Sequence, residues 1–127
     1  IASDGIINNG KGHPRTAGTY SRILGQYVRD RGLLSMEDAV RKMALMPAQR
    51  LEARAPMMKR KGRVQVGCDA DLVVFQPEAV LDQATYQKPT TPPVGIDHVL
   101  VNGTAVVSDG VFQGGVRPGL PVRAPIR

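Results

Sequence analysis

The sequence predicts an α+β chain in which two helices are followed by a small β unit. Between positions 20 and 46, apolar residues recur with the three-to-four-residue spacing of one helix face. After position 62, short valine-rich runs alternate with glycine and proline turn signals, a pattern typical of strands. The residues from 5 to 18, rich in glycine and asparagine, are expected to form a loop.

The first helix is expected over residues 19–31. Its apolar stripe follows the spacing i, i+3, i+4, i+7, i+8 and consists of Tyr20, Ile23, Leu24, Tyr27 and Val28. Gly32 is well placed to end it. The second helix is expected over residues 35–46. Ser35 is its expected N-cap, with Asp38 three positions later as in a capping box. Pro47 is expected either to end it or to start another short turn over residues 47–51.

The β unit is expected to contain strands at 70–75, 97–101 and 104–108. The last two runs flank Asn102-Gly103, and an Asn-Gly pair between apolar runs is the strongest short signal for a hairpin. A short alternating segment, Arg63–Val66, precedes them between two glycines. So few strands would leave bare edges, which natural proteins avoid, and we therefore expect them to need neighbours that this chain does not contain.

Composition sets broad limits on function. The 127 residues carry a net charge of +6, and the charge is uneven: residues 1–63 hold 13 Lys/Arg against 5 Asp/Glu, whereas residues 64–127 hold 4 against 6. A basic half can bind nucleic acid or membrane, but aromatic content of 4% without tryptophan argues against base stacking. We expect no nucleic-acid and no membrane partner. Cys68 is the sole cysteine and no signal peptide is visible, which favours a cytoplasmic location.

Three segments resemble the D-aminoacylase (N-acyl-D-amino-acid deacylase) group of the metal-dependent amidohydrolases. The first is Ser-Asp-Gly at 3–5 followed by residues 13–51, which begin His-Pro-Arg-Thr-Ala-Gly-Thr. The others are residues 62–86, with the pattern G-x-x-x-x-G-x-D-A-D-L-V-V-F, and residues 95–110. The aspartate-rich pattern is shared widely among amidohydrolases, whereas the combination at 3–19 is narrower and indicates the deacylases.

The resemblance implies an α/β parent, a TIM-like (β/α)8 barrel with an accessory β-sandwich. Ile1–Ser3 would be the last barrel strand, residues 1–54 the end of the barrel, and residues 55–127 part of the sandwich. Active sites of such barrels lie at the carboxyl ends of the strands, where Asp4 would stand. The resemblance makes Asp4 the catalytic general acid–base beside a zinc-bound water. Taken alone, an aspartate at this position more often just opens a glycine-rich turn than acts in catalysis.

Two further residues in the loop after Asp4 are expected to bind substrate. Arg15 has the fork geometry that grips a carboxylate through two hydrogen bonds, and His13 could donate to a carbonyl or support a neighbouring residue. Either residue could instead merely anchor the loop. His98, in the expected hairpin, is read as structural, and the run Lys59–Arg63 as a solvated basic face.

The resemblance also implies a zinc cofactor whose ligands are mostly absent from this chain. Two histidines and one cysteine without ligand spacing supply no tetrahedral site, although Asp4 could be a weak ligand. We therefore expect a C-terminal fragment, inactive alone, whose partners are the rest of the barrel or another chain, and whose parent cleaves N-acyl-D-amino acids. A dihydropyrimidinase-like amidohydrolase, a basic binding module and a noncatalytic structural piece are the alternatives.

Overall fold

A computed structural model describes residues 1–125 of the chain. It is an α+β protein with two compact units. The first is formed by Ile1–Ala39 together with Phe75–Ile96, and the second by Val40–Val74 together with the residues from Asp97 onward. Among the described residues, no helix is both long and apolar enough to cross a membrane.

Both predicted helices are present, and both are longer than predicted. The first consists of α1 (Arg15–Arg22), which continues without a break as a π-helical segment, Ile23–Asp30. It begins four residues before the predicted start, inside the stretch expected to be a loop. Gly32 ends it as predicted, with a φ of +59°. The amides of Gly32 and Leu33 donate there to carbonyls of the last turns.

The second helical run contains α2 (Met36–Val40), a π-helical segment (Arg41–Leu45) and α3 (Met46–Leu51). Ser35 caps it as predicted, because its Oγ accepts the amide of Asp38 at 3.1 Å. Of the two predictions for Pro47, the second is confirmed: it does not end the helical run but stands at the start of a short further helix that reaches Leu51. Pro47 falls in the first turn of α3, directly after the wider π turn, where its missing N–H and its ring are tolerated. A 3-10 helix, Pro56–Arg60, follows.

The glycine-rich stretch before α1 holds a small hairpin that was not predicted. Strands β1 (Ile7–Asn8) and β2 (Lys11–Gly12) pair antiparallel across Asn9-Gly10, and both turn residues have positive φ, +50° and +74°. These are the dihedral signs of the type I′ turn that closes two-residue hairpins. The loop prediction for residues 5–18 is therefore corrected to a hairpin followed by the start of a helix.

The β unit is a four-stranded sheet in the order β3-β4-β5-β6. Its strands are β3 (Leu72–Phe75), β4 (Ile96–Val101), β5 (Thr104–Ser108) and β6 (Val111–Phe112). The first three confirm the predicted strands, and Asn102-Gly103 forms the predicted turn with φ of +48° and +77°. Strand β6 was missed, although Asp109-Gly110 makes a second turn of the same kind, with φ of +51° and +74°.

Two expected strands lie outside the sheets of the described residues. The segment Arg63–Val66 forms bends and a turn, and Val64 and Val66 are 88% and 102% exposed, so the alternation there does not mark a buried face. Ile1–Ser3 also belong to neither sheet, since a strand is made by hydrogen bonds to a neighbouring strand. Their place in a barrel, and the division at residue 54, concern a longer protein and stay predictions.

The buried core is small and lies mostly in the first unit. Its members there are Leu24, Ala39, Val80 and Ala84. Val80 is fully buried, and its carbonyl faces Gly25, where any Cβ would collide with it, while Arg29 Nη1 donates to the same oxygen at 2.9 Å. The first helix and the segment around Val80 are thus held together by a close backbone approach and one guanidinium rather than by a large apolar cluster.

Candidate functional site

Asp4 stands just after the chain's first residues, in an unusual backbone conformation. Its φ is +48°, in the left-handed region that costs a residue with a Cβ about 1–2 kcal/mol, although aspartate tolerates it better than most. Its side chain is 85% exposed. Because the Asp4 side chain is exposed, burial does not hold it in place. Its contacts are with the first turn of α1.

Two glycines let the chain fold back so that residues before and after the β1–β2 hairpin meet. At Gly5 a Cβ would lie 2.5 Å from Thr16 Cα, so the chain can pass this close to α1 only without a side chain. At Gly12 a Cβ would collide with the carbonyl oxygen of Ile6. The hairpin therefore returns the chain to α1 with Asp4 beside the helix's first residue.

Arg15 is that residue, and it binds Asp4. Its Nη2 donates to Asp4 Oδ2 at 3.0 Å, with the arginine side chain 46% exposed. An ion pair this open contributes little to stability, typically below about 1 kcal/mol. The contact uses one nitrogen of the guanidinium, so other N–H groups on the fork are available to a second anion.

His13 lies at the start of α1 and makes two contacts. Its Nδ1 accepts the backbone amide of Arg15 at 3.0 Å, which satisfies one of the donors that a helix start leaves without a partner. Its Nε2 lies 2.9 Å from the hydroxyl of Tyr86, and the two rings meet edge to face with centroids 5.0 Å apart. The imidazole thus links the helix start to a segment 73 positions later in the chain.

The three predicted site residues, Asp4, His13 and Arg15, are therefore brought together by the first unit. Tyr86 joins them and was not predicted. Its only sequence signal was an isolated aromatic residue in a polar stretch, and nothing local indicates a contact so distant in the chain. Chemically, the group offers an exposed carboxylate that can exchange a proton and a guanidinium that can bind an anion beside it.

The described residues do not form a metal site. Within residues 1–125, no three His, Cys, Asp or Glu side chains are close enough together to hold an ion. His98, read from the sequence as structural, lies on β4, and its Nδ1 accepts the amide of Asp109, in the β5–β6 turn, at 3.4 Å. Cys68 is a half-buried free thiol.

A second charged cluster lies in the other unit and links the Asp-Ala-Asp segment to the hairpin. Lys61 Nζ bonds both Asp69 Oδ2, at 3.0 Å, and Asp71 Oδ2, at 2.6 Å. Asp71 Oδ1 accepts the amide of Asn102 at 2.8 Å, and the carbonyl of Ala70 accepts that of Gly103 at 2.9 Å. The segment 69–71 thereby anchors the turn between β4 and β5.

This cluster changes the acid–base behaviour of its members. The hydrogen bond from Lys61, and then that from the Asn102 amide, hold the pKa of Asp71 below its ordinary value of 3.8. The hydrogen bond to Asp71 likewise raises the pKa of Lys61 above its ordinary value. A cleft of about 440 Å³ adjoins these side chains, but its charged groups, Arg60 included, are paired with one another.

Most of the basic run Lys59–Arg63 is thus neutralised within the chain. Arg60 pairs with Asp69 at 3.4 Å, Lys61 with both aspartates, and Arg63 with Glu52. A cation already paired with a carboxylate neutralises little of a polyanion's charge and so releases few of its counterions. The run therefore does not supply the unpaired charge that phosphate binding uses. The expectation of a solvated basic face is confirmed for Lys59 and Arg60, which are exposed, whereas Lys61 and Arg63 are half-buried in ion pairs.

Comparison with known proteins places this geometry in a wider context. The sequence model of the amidohydrolase family matches residues 1–107. An N-acyl-D-glutamate deacylase of Alcaligenes xylosoxydans xylosoxydans is 46% identical over 106 residues, which are 84% of this chain and 21% of that protein. The chain therefore spans about a fifth of the length of this relative.

Two solved structures agree with it in fold as well as in sequence. The crystal structure of a D-aminoacylase matches with a TM-score of 0.80 and 45% identity, covering 90% of this chain and 23% of that one. An N-acyl-D-glutamate deacylase from Bordetella bronchiseptica, complexed with zinc and a phosphonate that mimics the tetrahedral intermediate, matches with a TM-score of 0.82 and 41% identity. The match covers 98% of this chain and 25% of the Bordetella bronchiseptica chain.

Proposed function

Because this chain belongs to the amidohydrolase family, we propose that it is part of a metal-dependent hydrolase that cleaves the amide bond of N-acyl-D-amino acids. The products are a carboxylate and a free D-amino acid. The observation that carries the proposal is the pairing of an exposed carboxylate, Asp4, with an anion-binding guanidinium, Arg15, at 3.0 Å. Relatives and structural neighbours that carry the names of such deacylases support it.

Asp4 supplies the proton transfers of the reaction. As a carboxylate it takes a proton from the water whose oxygen attacks the amide carbon, and a tetrahedral intermediate forms. It then gives that proton to the amide nitrogen as the C–N bond breaks, because an amine leaves far more readily than an amide anion. The exposure of Asp4 in this chain leaves its carboxylate open to both reaction partners.

Arg15 holds the substrate by its α-carboxylate. An N-acyl amino acid keeps a free carboxylate next to the scissile amide, and a guanidinium binds such a group through two parallel hydrogen bonds. With one nitrogen on Asp4 and others available, Arg15 places the substrate's negative end beside the proton-transfer group. His13, by capping the helix at Arg15, fixes the backbone from which that side chain extends.

The parent protein is proposed to be a (β/α)8 barrel with an accessory β-sandwich, with Ile1–Ser3 as its last strand. Residues 1–54 would complete the barrel and residues 55–127 would contribute to the sandwich. Zinc, which the Bordetella bronchiseptica neighbour contains, would be held in the parent mostly by side chains outside residues 1–125, with Asp4 as a possible weak ligand. By itself this chain is then expected to be inactive.

The test is a substrate panel with the full-length protein. N-acetyl-D-glutamate, N-acetyl-D-aspartate and N-acetyl-D-leucine are each assayed for release of the free amino acid, with the L enantiomers as matched controls. We expect turnover of at least one D substrate and little of its L partner. Equal turnover of both enantiomers, or turnover of none, would reject the proposal. A cyclic amide in the same panel tests the dihydropyrimidinase-like alternative.

The basic binding module is the weaker candidate. Arg60, Lys61 and Arg63, three of the cations that suggested it, are bound to carboxylates of the same unit. Such a module would bind a polyanion with an affinity that falls steeply as salt increases. Titration with heparin at two salt concentrations distinguishes it from the hydrolase.

A further inference from the structure

Tyr86 is the residue of the candidate site that neither the predicted roles nor the proposed mechanism uses. Its side chain is 72% exposed, so burial of its ring contributes little to stability. Yet it makes both an edge-to-face ring contact and a hydrogen bond with His13. An exposed aromatic ring that is held by a polar contact is better explained by what it orients than by what it packs against.

The segment that carries Tyr86 is anchored at several points. Leu81 and Val94 exchange backbone hydrogen bonds of 3.3 and 3.0 Å, which close the loop between them. Asp82, whose side chain is 7% exposed, accepts from Arg22 of α1 at 2.7 Å. Thr85 and Lys88 form a tight turn around Tyr86 itself, with a bond of 3.0 Å from the Lys88 amide to Thr85 Oγ1. The tyrosine is therefore presented from a fixed loop beside α1.

The direction of the hydrogen bond follows from the other side of the imidazole. The amide of Arg15 can only donate, so His13 Nδ1, 3.0 Å away, must be an acceptor without a proton. A neutral imidazole then carries its proton on Nε2, and Nε2–H donates to the Tyr86 hydroxyl oxygen at 2.9 Å. The Arg15 amide thus fixes the tautomer of His13, and the Tyr86 hydroxyl, which can accept as well as donate, holds the ring in the orientation that caps α1.

We propose that Tyr86 is a positioning residue which, through His13, fixes the start of α1 so that Arg15 can bind the substrate's carboxylate beside Asp4. The inference rests on the proposed function. It predicts a defect in substrate binding rather than in the chemical step, since Tyr86 acts on Arg15 and does not contact Asp4.

The experiment is a double-mutant cycle in the full-length enzyme. Tyr86→Phe keeps the ring and removes the hydroxyl. His13→Asn keeps a side-chain oxygen suited to capping a helix start but removes the group that reaches Tyr86. Loss of one hydrogen bond of ordinary strength corresponds to roughly a twofold to tenfold change in KM. We expect each variant to raise KM by about that factor, with kcat within about twofold of the wild type.

Because the two residues act as one unit, the double variant should raise KM no more than the larger single effect. Tyr20→Phe is the control: Tyr20 is also on α1 and 45% exposed, but the hydrogen bond and ring contact of His13 are made with Tyr86 instead. A KM for Tyr86→Phe equal to that of the control would overturn the inference. So would effects that multiply in the double variant, or a fall in kcat at constant KM.

A spectroscopic measurement keeps the inference separate from the proposed function. Long-range ¹H–¹⁵N spectra of the full-length protein report which nitrogen of His13 carries the proton. We expect Nε2 in the wild type, and a shifted Arg15 amide resonance in Tyr86→Phe but not in Tyr20→Phe. A proton on Nδ1 would overturn the inference whatever the activity. If the spectra are as expected but no amide is hydrolysed, the proposed function fails while the Tyr86–His13 link is retained.

Discussion

At the residue scale, the candidate site depends on one cation with two potential partners. Arg15 contacts Asp4 through Nη2 in this chain and is proposed to bind the substrate's carboxylate through other nitrogens of the same fork. Lysine would keep the charge but offer a point donor without the planar, two-pronged geometry. The two side chains therefore separate the effect of charge from that of geometry.

Arg15→Lys is expected to weaken substrate binding more than the chemical step. Loss of bidentate geometry acts on the substrate's fixed carboxylate, which is bound alike before and during reaction, so KM should rise about tenfold or more while kcat changes far less. Steady-state kinetics with the best D substrate measure both. The matched control is Arg41→Lys, which lies outside the first unit. A fall in kcat with KM unchanged would show that Arg15 acts in the chemical step instead.

At the same scale, Asp71 links pH to the stability of the hairpin. Its pKa is lowered by Lys61, so the folded state favours the carboxylate. That contribution is complete above the ordinary pKa of 3.8 and is lost as pH falls through the lower folded value. Since the Asp71 side chain is 33% exposed, this contribution to stability is about 1 kcal/mol or less.

Asp71→Asn should therefore destabilise the protein at pH 7 and much less at pH 2. Thermal unfolding midpoints of the two proteins across this range measure the difference. Glu78→Gln is the control, because Glu78 is exposed and no ion pair of it is seen within residues 1–125. A difference in unfolding midpoint between Asp71→Asn and wild type that stays constant down to pH 2 would mean that the substitution acts through packing and not through charge.

At the element scale, a helix or strand could be predicted where its pattern of apolar residues is long enough to be recognised. The helices were predictable because five apolar positions share one face, and the β4–β5 hairpin because Asn102-Gly103 separates two valine-rich runs. The turns at Asn9-Gly10 and Asp109-Gly110 carry the same signal, but each has a two-residue strand on at least one side, too short for alternation to be visible. They could have been found from the turn pairs alone.

Other features could not be read from local sequence. The second helical run passes through a π-helical segment before α3, and such a change of hydrogen-bond register leaves no mark in the residue pattern. Likewise, His13 and Tyr86 meet because of the path of the whole first unit. Asp4 and Arg15 were identified through family resemblance; the contact between them required the hairpin and the close approach of Gly5 to α1.

Gly103→Ala tests the account of the hairpin. At a φ of +77° an alanine is strained, whereas the space is open, since the nearest atom to a new Cβ would be 3.9 Å away. Destabilisation by about 1 kcal/mol is expected from backbone strain alone. Gly114→Ala, at a position with open space and no positive φ, should be close to neutral. Chemical denaturation of both variants compares them, and equal stability would remove the strain argument.

At the scale of the whole molecule, the chain buries little and exposes much. Only Ala48 is a buried apolar residue in the second unit of the described chain, while large apolar side chains are exposed at Val73, Val74, Val111, Phe112 and Leu120. A core this small offsets little of the conformational entropy lost on folding. The exposed residues support the prediction that the sheet needs neighbours.

The isolated 127-residue chain should therefore bind the dye ANS and self-associate as its concentration rises. It should also hydrolyse no N-acyl-D-amino acid when Zn²⁺ is added, because residues 1–125 provide no ligand cluster. Dye fluorescence and sedimentation, compared with the full-length protein, measure the first effect. A monodisperse chain that binds no dye, or one that is active with zinc, would contradict the proposal that it belongs to a larger fold.

The proposed hydrolysis of an N-acyl-D-amino acid depends above all on proton transfer by Asp4, which is tested by comparing kcat of the full-length protein with that of its Asp4→Asn variant. Asparagine keeps the size of the side chain but cannot accept and return a proton, and such assistance is worth about 10²–10⁴-fold. We predict a fall in kcat of at least that order, with an unchanged unfolding midpoint. Near-normal kcat in Asp4→Asn would remove Asp4 from the mechanism and contradict the account.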